Sequence, residues 1–309
     1  MGNEFKGQSA HSAEHFGDTR DYWWHEDHLR LIAGRWRSEE IHRVLDAGCG
    51  VGHWGRLLAR VLPPDAEFVG VDREPLWVEK AAERASAVGL ADRFRFQTGT
   101  VEALPFPDAS FDLVTCQTLL MHVPDPRAAL VEMARVAKPG ALVAVAEPTH
   151  LVGPFLGDAI ALRDSPARTA ELLAFQLTCQ HGKAALGEGD EMIGESLPRL
   201  LADAGLREIE VRLNDRAWPM YPPYDSVEAR ADIEQTCDFV QRGMWIAPRD
   251  VMKRRYLAGG GREDRFDALW TTALDQKRRA LLAIQERRHF RAGGGLSYLA
   301  WGRKPGSGQ

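Results

Sequence analysis

An open α/β fold, with a mostly parallel sheet wound by helices on both faces, is what this sequence predicts. Three observations carry that expectation. Short apolar runs recur between Arg43 and Ala146, amphipathic stretches separate them, and acidic, glycine or polar residues stand where the runs end. The composition agrees. A chain of 309 residues with 44% hydrophobic and 27% charged residues is ordinary for a globular protein and excludes disordered, collagen-like and coiled-coil classes. At this size one core buries roughly three quarters of the unfolded surface without covalent staples.

The elements follow in order. After a polar and aromatic start that includes Tyr22-Trp23-Trp24, residues 26–36 form the first predicted helix. Residues 43–46 form a buried strand that ends at Asp46 and runs into Gly48-Cys49-Gly50-Val51-Gly52. A helix over 54–62 is stopped by Pro63-Pro64. The second strand, 68–71, ends at Asp72, and Pro75 suits the first turn of a helix over 76–88 closed by Gly89. Strands are predicted at 94–97 and 111–115, a helix at 127–137 stopped by Lys138-Pro139-Gly140, and a fifth strand at 141–146. Beyond Glu147 the rhythm breaks. Helical residues 160–181, a Gly/Glu-rich loop and a helix over 197–204 precede a sixth strand at 209–213. Residues 214–292 read as mostly helical, and 296–301 as a final strand.

Several function classes drop out at this level. The longest aliphatic run, 141–146, is far short of the roughly 20 residues a membrane helix needs. The first residues carry no apolar stretch of the secretory kind. Cys49, Cys116, Cys179 and Cys237 are widely spaced, so a zinc ribbon, another metal site or a disulfide framework is not expected, and a cytoplasmic location is. The net charge of −5 hides an asymmetry. Residues 249–304 hold 14 Lys+Arg against 6 Asp+Glu, a local +8, which suits either an anionic partner or solvated helix faces.

The strongest motif is Val44-Leu45-Asp46-Ala47-Gly48-Cys49-Gly50-Val51-Gly52. Glycines after a strand let bare backbone approach a ligand and permit unusual dihedrals. In such sheets ligands bind beyond the carboxyl ends of the strands, and Asp46, Asp72, Gly99, Cys116 and Glu147 all fall there. Residues 50–55 also satisfy the literal GxGxxG dinucleotide pattern, with Asp72 about 20 residues on, so nicotinamide chemistry is a competitor. Cys49 and Cys116 near the loop admit a thiolate site for trivalent arsenic, although their spacing resembles no thiolate trio.

With VLDAGCGVG, VGVD, GTVEALPFPDASFDLVTC and RVAKPGALVAVAEP in that order over about 110 residues, the chain resembles the class I S-adenosylmethionine-dependent methyltransferases. The similarity is greatest to the small-molecule branch that includes the ubiquinone and menaquinone biosynthesis enzymes. Residues 189–215 also resemble uncharacterised bacterial members of the superfamily. The resemblance implies a Rossmann-like doubly wound sheet of seven strands, order 3-2-1-4-5-7-6 with the last antiparallel, and helical cap insertions. It implies that Gly48, Gly50 and Gly52 line the methionyl part of the cofactor and that Asp46 orders its ammonium. Asp72, next to Arg73, would accept the ribose hydroxyls. Adenine would meet Thr100 and Val101, with Thr100 standing where the family often has Asp.

The remaining candidates lie near the strand ends. Gln117 can contact cofactor or substrate, or serve as a structural amide. Glu147, His122 and His150 are the candidate catalytic groups for a nucleophile that arrives protonated. Tyr22 and its neighbouring tryptophans suit either a lid over a sulfonium or ordinary packing. Trp218, Tyr221, Tyr224 and Trp245 admit a substrate wall or core packing. The expected division is a helical lid at 1–40, a cofactor core at 41–150, a helical insertion with helix and sixth strand at 151–213, a helical cap at 214–292, and a final strand with tail at 293–309. The expected activity is methyl transfer to a nitrogen, oxygen or carbon of a small, plausibly anionic molecule. An RNA methyltransferase and a non-catalytic cofactor-binding protein are the alternatives, and the acidic net charge disfavours a nucleic-acid partner.

Overall fold

A computed structural model describes residues 17–150, 165–215, 217, 219–292 and 295–306. Trp218, the beginning of the helical segment expected at 160, and the last three residues lie outside them. The ordered elements are α1 (Glu26–Trp36), β1 (Arg43–Ala47), α2 (His53–Leu58), β2 (Glu67–Asp72), α3 (Pro75–Ala87), β3 (Phe94–Thr98), β4 (Phe111–Gln117), α4 (Pro126–Val136) and β5 (Ala137–Pro148). After these come α5 (Pro166–Ala185), α6 (Leu197–Asp203), β6 (Arg207–Leu213), α7 (Val227–Gln241), α8 (Arg249–Ala258), α9 (Glu263–Gln285) and β7 (Ser297–Arg303).

The strands form one sheet in the order β3-β2-β1-β4-β5-β7-β6. Pairing is parallel from β3 through β5, and β7 runs antiparallel to both β5 and β6. This is the topology the motifs imply. Helices pack on the apolar interior strands: Leu45, Val114, Val143 and Val145 cluster with Leu130 and Met133 of α4 and Leu197 and Leu201 of α6. On the β2–β3 side the rings of Phe68, Phe94 and Phe96 stack successively, with centroids 4.6 and 5.7 Å apart.

Several boundaries depart from the sequence expectation: α5 runs to Ala185 rather than 181, β4 to Gln117 rather than 115, β6 begins at Arg207 rather than 209, and β7 spans Ser297–Arg303 rather than 296–301. α2 ends at Leu58 rather than 62. The chain tightens there, with Arg60 N donating to Leu57 O and Val61 N to Leu58 O. β5 begins at Ala137, so Lys138-Pro139-Gly140 is strand rather than a stop between elements. Ala137 pairs with Phe111, and the register shifts before Leu142 pairs with Leu113.

Contacts divide the chain into two units. One contains the sheet and comprises residues 23–149, 192–215 and 296–309. The other comprises 1–22, 150–191 and 216–295, and its described regular elements are helices. Its core gathers Phe175, Trp245, Tyr256, Phe266 and Trp270, with Phe175 stacked on Trp245 at 5.3 Å. Trp245 is therefore core, and Tyr224 is buried with its hydroxyl donating to His289 O, while Tyr221 is exposed. No helix among the described residues is long and apolar enough to cross a membrane.

Candidate functional site

Where β1 ends, the chain turns through Gly48, Gly50 and Gly52 at φ 66°, 51° and 78°. These are left-handed values that residues with a side chain rarely adopt. At Gly48 an added Cβ would also lie 2.5 Å from Leu119 Cδ1, so that side chain would have to move.

Two carboxylates hold this loop. Asp72 accepts from Gly50 N through Oδ2 at 2.9 Å and from Glu74 N through Oδ1 at 3.0 Å. Cys49 N donates to Val71 O at 2.9 Å, which ties the loop to the same strand end. Asp46 is only 3% exposed. Its Oδ2 accepts from Gly55 N at 3.1 Å, while Oδ1 is buried and has no hydrogen-bond partner. Burial pushes the Asp46 carboxyl up to about 7, against the lowering effect of the Gly55 amide and with the Asp72 charge adding to the rise. An acceptor stranded in so dry a place costs about 1–3 kcal/mol and is ready for a donor or cation from outside the chain. Burial also pushes the Cys49 and Cys116 thiols well up, with the Asp46 charge reinforcing the rise at Cys49 and the Glu147 and Asp46 charges at Cys116.

The segment after β3 hangs on Asp72 too. Gly99 N donates to Asp72 O at 3.0 Å, followed by exposed Thr100 and by Val101, which is buried in the sheet core. Arg73 is exposed, with Nε 3.5 Å from Glu74 Oε1. On the other side β4 ends at buried Gln117, and Thr118 adopts φ 52°, an uncommon conformation for a β-branched residue. That bend aims successive amides at Glu147. Leu119 N and Leu120 N each donate to its Oε1 at 2.8 Å, and Met121 N to Oε2 at 3.4 Å. The fully buried carboxylate thus clamps the 3-10 turn Leu120–His122, which ends at half-buried His122.

Direct hydrogen bonds therefore unite the glycine loop, Asp72 and the 99–101 segment, with Asp46 beside them. His150 and Tyr22 belong to the helical unit: His150 N donates to Glu191 O at 3.2 Å, and Tyr22 ends the 3-10 turn Gly17–Tyr22. Three participants were not singled out by sequence. Leu119 closes over Gly48, Gly55 supplies the amide to Asp46, and Trp54 Nε1 donates to Thr115 Oγ1 at 2.8 Å. For Gly55 a signal existed. It is the last glycine of the GxGxxG pattern, and an added Cβ there would come 3.2 Å from Asp46 Oδ2.

The site fits a cofactor with an ammonium and a ribose. Asp46 Oδ1 lacks a donor, Asp72 retains lone pairs beyond its two amides, and the glycine loop leaves no side chain in the way. Fold and loop together thus define a class: an α/β protein with a β7-inserted sheet and a left-handed glycine turn beside two strand-end aspartates. A family model described as a methyltransferase domain matches residues 38–196, about half the chain, and the chain belongs to that family. The uncharacterized methyltransferase YcgJ of Bacillus subtilis is 41% identical over 127 residues, covering 41% of this chain and 48% of that one. The demethylmenaquinone methyltransferase of Geobacillus kaustophilus is 36% identical over 124 residues, or 40% and 51% of the two chains. The chain thus spans about half the length of these curated relatives. The crystal structure of YcgJ superposes with TM-score 0.50 at 22% identity, covering 91% of this chain and 99% of that one, a likeness of fold.

Proposed function

We propose that the protein is an S-adenosylmethionine-dependent methyltransferase acting on a nitrogen, oxygen or carbon nucleophile of a small molecule. The observation that carries this reading is the buried Asp46 Oδ1 without a donor beside a loop of left-handed glycines. Membership of the methyltransferase family, and relatives named as methyltransferases, support it.

In this reading Asp46 pairs with the ammonium of the cofactor, and Gly48, Gly50 and Gly52 offer backbone to its methionyl part. Asp72, flanked by Arg73, accepts hydrogen bonds from the ribose hydroxyls. Thr100 and the Val101 backbone meet the adenine, and Gln117 borders the reacting end. Bound there, the cofactor supplies an electrophilic methyl carbon on a sulfonium. The chain has to hold a nucleophile in line with that carbon and keep water away. We assign Glu147 to positioning, because its carboxylate is engaged by the amides that shape the β4 turn. His122, at the end of that turn, is the candidate base for a nucleophile that arrives protonated.

Calorimetry of the full chain with S-adenosylhomocysteine, followed by turnover of methyl-labelled cofactor over a panel of phenols, quinols and amines, tests the reading. Binding with transfer to a small molecule is expected. Failure to bind would reject the cofactor assignment, and binding without transfer to any acceptor would favour a non-catalytic role.

A further inference from the structure

The helical unit buries a polar helix face. On α5, Gln176, Gln180 and Lys183 recur at spacings of four and three residues, which places them side by side. Their exposures are 2%, 3% and 0%. The neighbouring flank of the helix is immobilised, because Gly182 and Gly259 bring α5 and α8 together backbone to backbone. A Cβ at Gly182 would collide with Arg255 O.

The charges around this face are all answered. Lys183 Nζ pairs with Glu191 Oε1 at 3.2 Å. Arg255 Nε donates to Glu188 Oε2 at 3.0 Å, and its Nη1 lies 3.5 Å from Glu191 Oε1. Gln176 Nε2 donates to His150 O, and His150 N in turn donates to Glu191 O. What remains is Gln176 Oε1 and both ends of the Gln180 amide, all buried and without a hydrogen-bond partner. The His150 carbonyl fixes the orientation of Gln176.

Buried polar atoms in native proteins are nearly always paired, so adjacent glutamines with three unmet atoms call for an explanation. A leucine or methionine at 180 would serve packing better. Two acceptor oxygens beside one amide donor match a ligand edge with two O–H or N–H donors and one acceptor. A carboxylate or phosphate would bring acceptors alone, and Lys183 and Arg255 already face carboxylates. The anionic acceptor expected from the basic segment is therefore not what these groups would hold.

We infer that this face of α5 is a ligand subsite for the hydroxyl- or amide-bearing edge of an uncharged molecule. The inference stands on the helical unit and is independent of the methyl-transfer reading. Saturation-transfer NMR on the full chain tests it, with catechol and salicylamide as neutral probes and salicylate and inorganic phosphate as charged counterparts. One or both neutral probes are expected to bind, the charged ones not, and Gln180→Met to weaken the neutral contact at least tenfold. The same substitution should raise the thermal midpoint, because it removes an unmet buried amide. A structural glutamine would do the opposite, lowering the midpoint and leaving probe binding unchanged. That result would overturn the inference, as would an absence of neutral-probe binding to the parent chain or equal binding of salicylate.

Discussion

Asp46 and Asp72 stand at the ends of neighbouring strands, and Asp46 is buried. The folded Asp46 carboxyl titrates near 7 against 3.8 ordinarily, so it favours the neutral form. Its contribution to stability is fully present below the unfolded value and is lost as pH rises through about 7, at about 1.4 kcal/mol per unit. Urea unfolding at pH 5 and pH 8 should show this loss in the parent chain, and Asp46→Asn should abolish it. Ligation runs the other way. Affinity for S-adenosylhomocysteine should rise with pH through about 7 in the parent and stay flat in Asp46→Asn, as calorimetry would show. Asp72→Ala, which removes a charged acceptor and frees the Gly50 amide, should weaken that binding about tenfold or more. These two aspartates and the glycines were readable from sequence because a strand end, a glycine turn and an acidic residue recur in register. Glu147 was readable only as a buried charge needing a partner. Its partners are backbone amides of residues 119–121, and no pattern of side chains announces those.

At the scale of elements, the strand–helix alternation was visible in apolar periodicity, and α1 spans the residues that periodicity marks out. The misplaced boundaries have local causes. After α2 the chain tightens into i→i−3 bonds at residues 60 and 61, and the pairing of Ala137 with Phe111 draws Lys138-Pro139-Gly140 into β5, a tertiary demand that outweighs the usual reading of Pro-Gly as a break. The turn after β4 depends on one carboxylate. Glu147→Gln would present an amide N–H₂ to donors that need an acceptor, and thermal or urea unfolding should show a loss of about 2–4 kcal/mol. The glycine turn depends on backbone freedom. Gly48→Ala must fit a Cβ against Leu119 at left-handed φ, so it should impair cofactor binding while circular dichroism still reports a folded chain.

Across the whole molecule, the local +8 of residues 249–304 changes meaning once its partners are seen. Arg249 pairs with Asp267, Lys253 with Glu263, Arg254 and Arg255 with Glu188, Arg265 with Glu171 and Arg291 with Asp232. Asp267 and Glu263 lie within the block and are already counted in its +8, whereas Glu188, Glu171 and Asp232 come from other segments and offset part of it, an arrangement that linear counting cannot reveal. A gel-shift titration with tRNA at low salt should accordingly show no retardation, and a salt-sensitive shift would restore the RNA reading. The position of β7 has a consequence for synthesis. Although it is the last strand in sequence, it is inserted between β5 and β6, so the apolar β5 can gain its outer neighbour only after the ribosome has made residues 297–303. A chain cut short before Ser297 leaves that edge open and should accumulate in inclusion bodies, however intact its glycine loop.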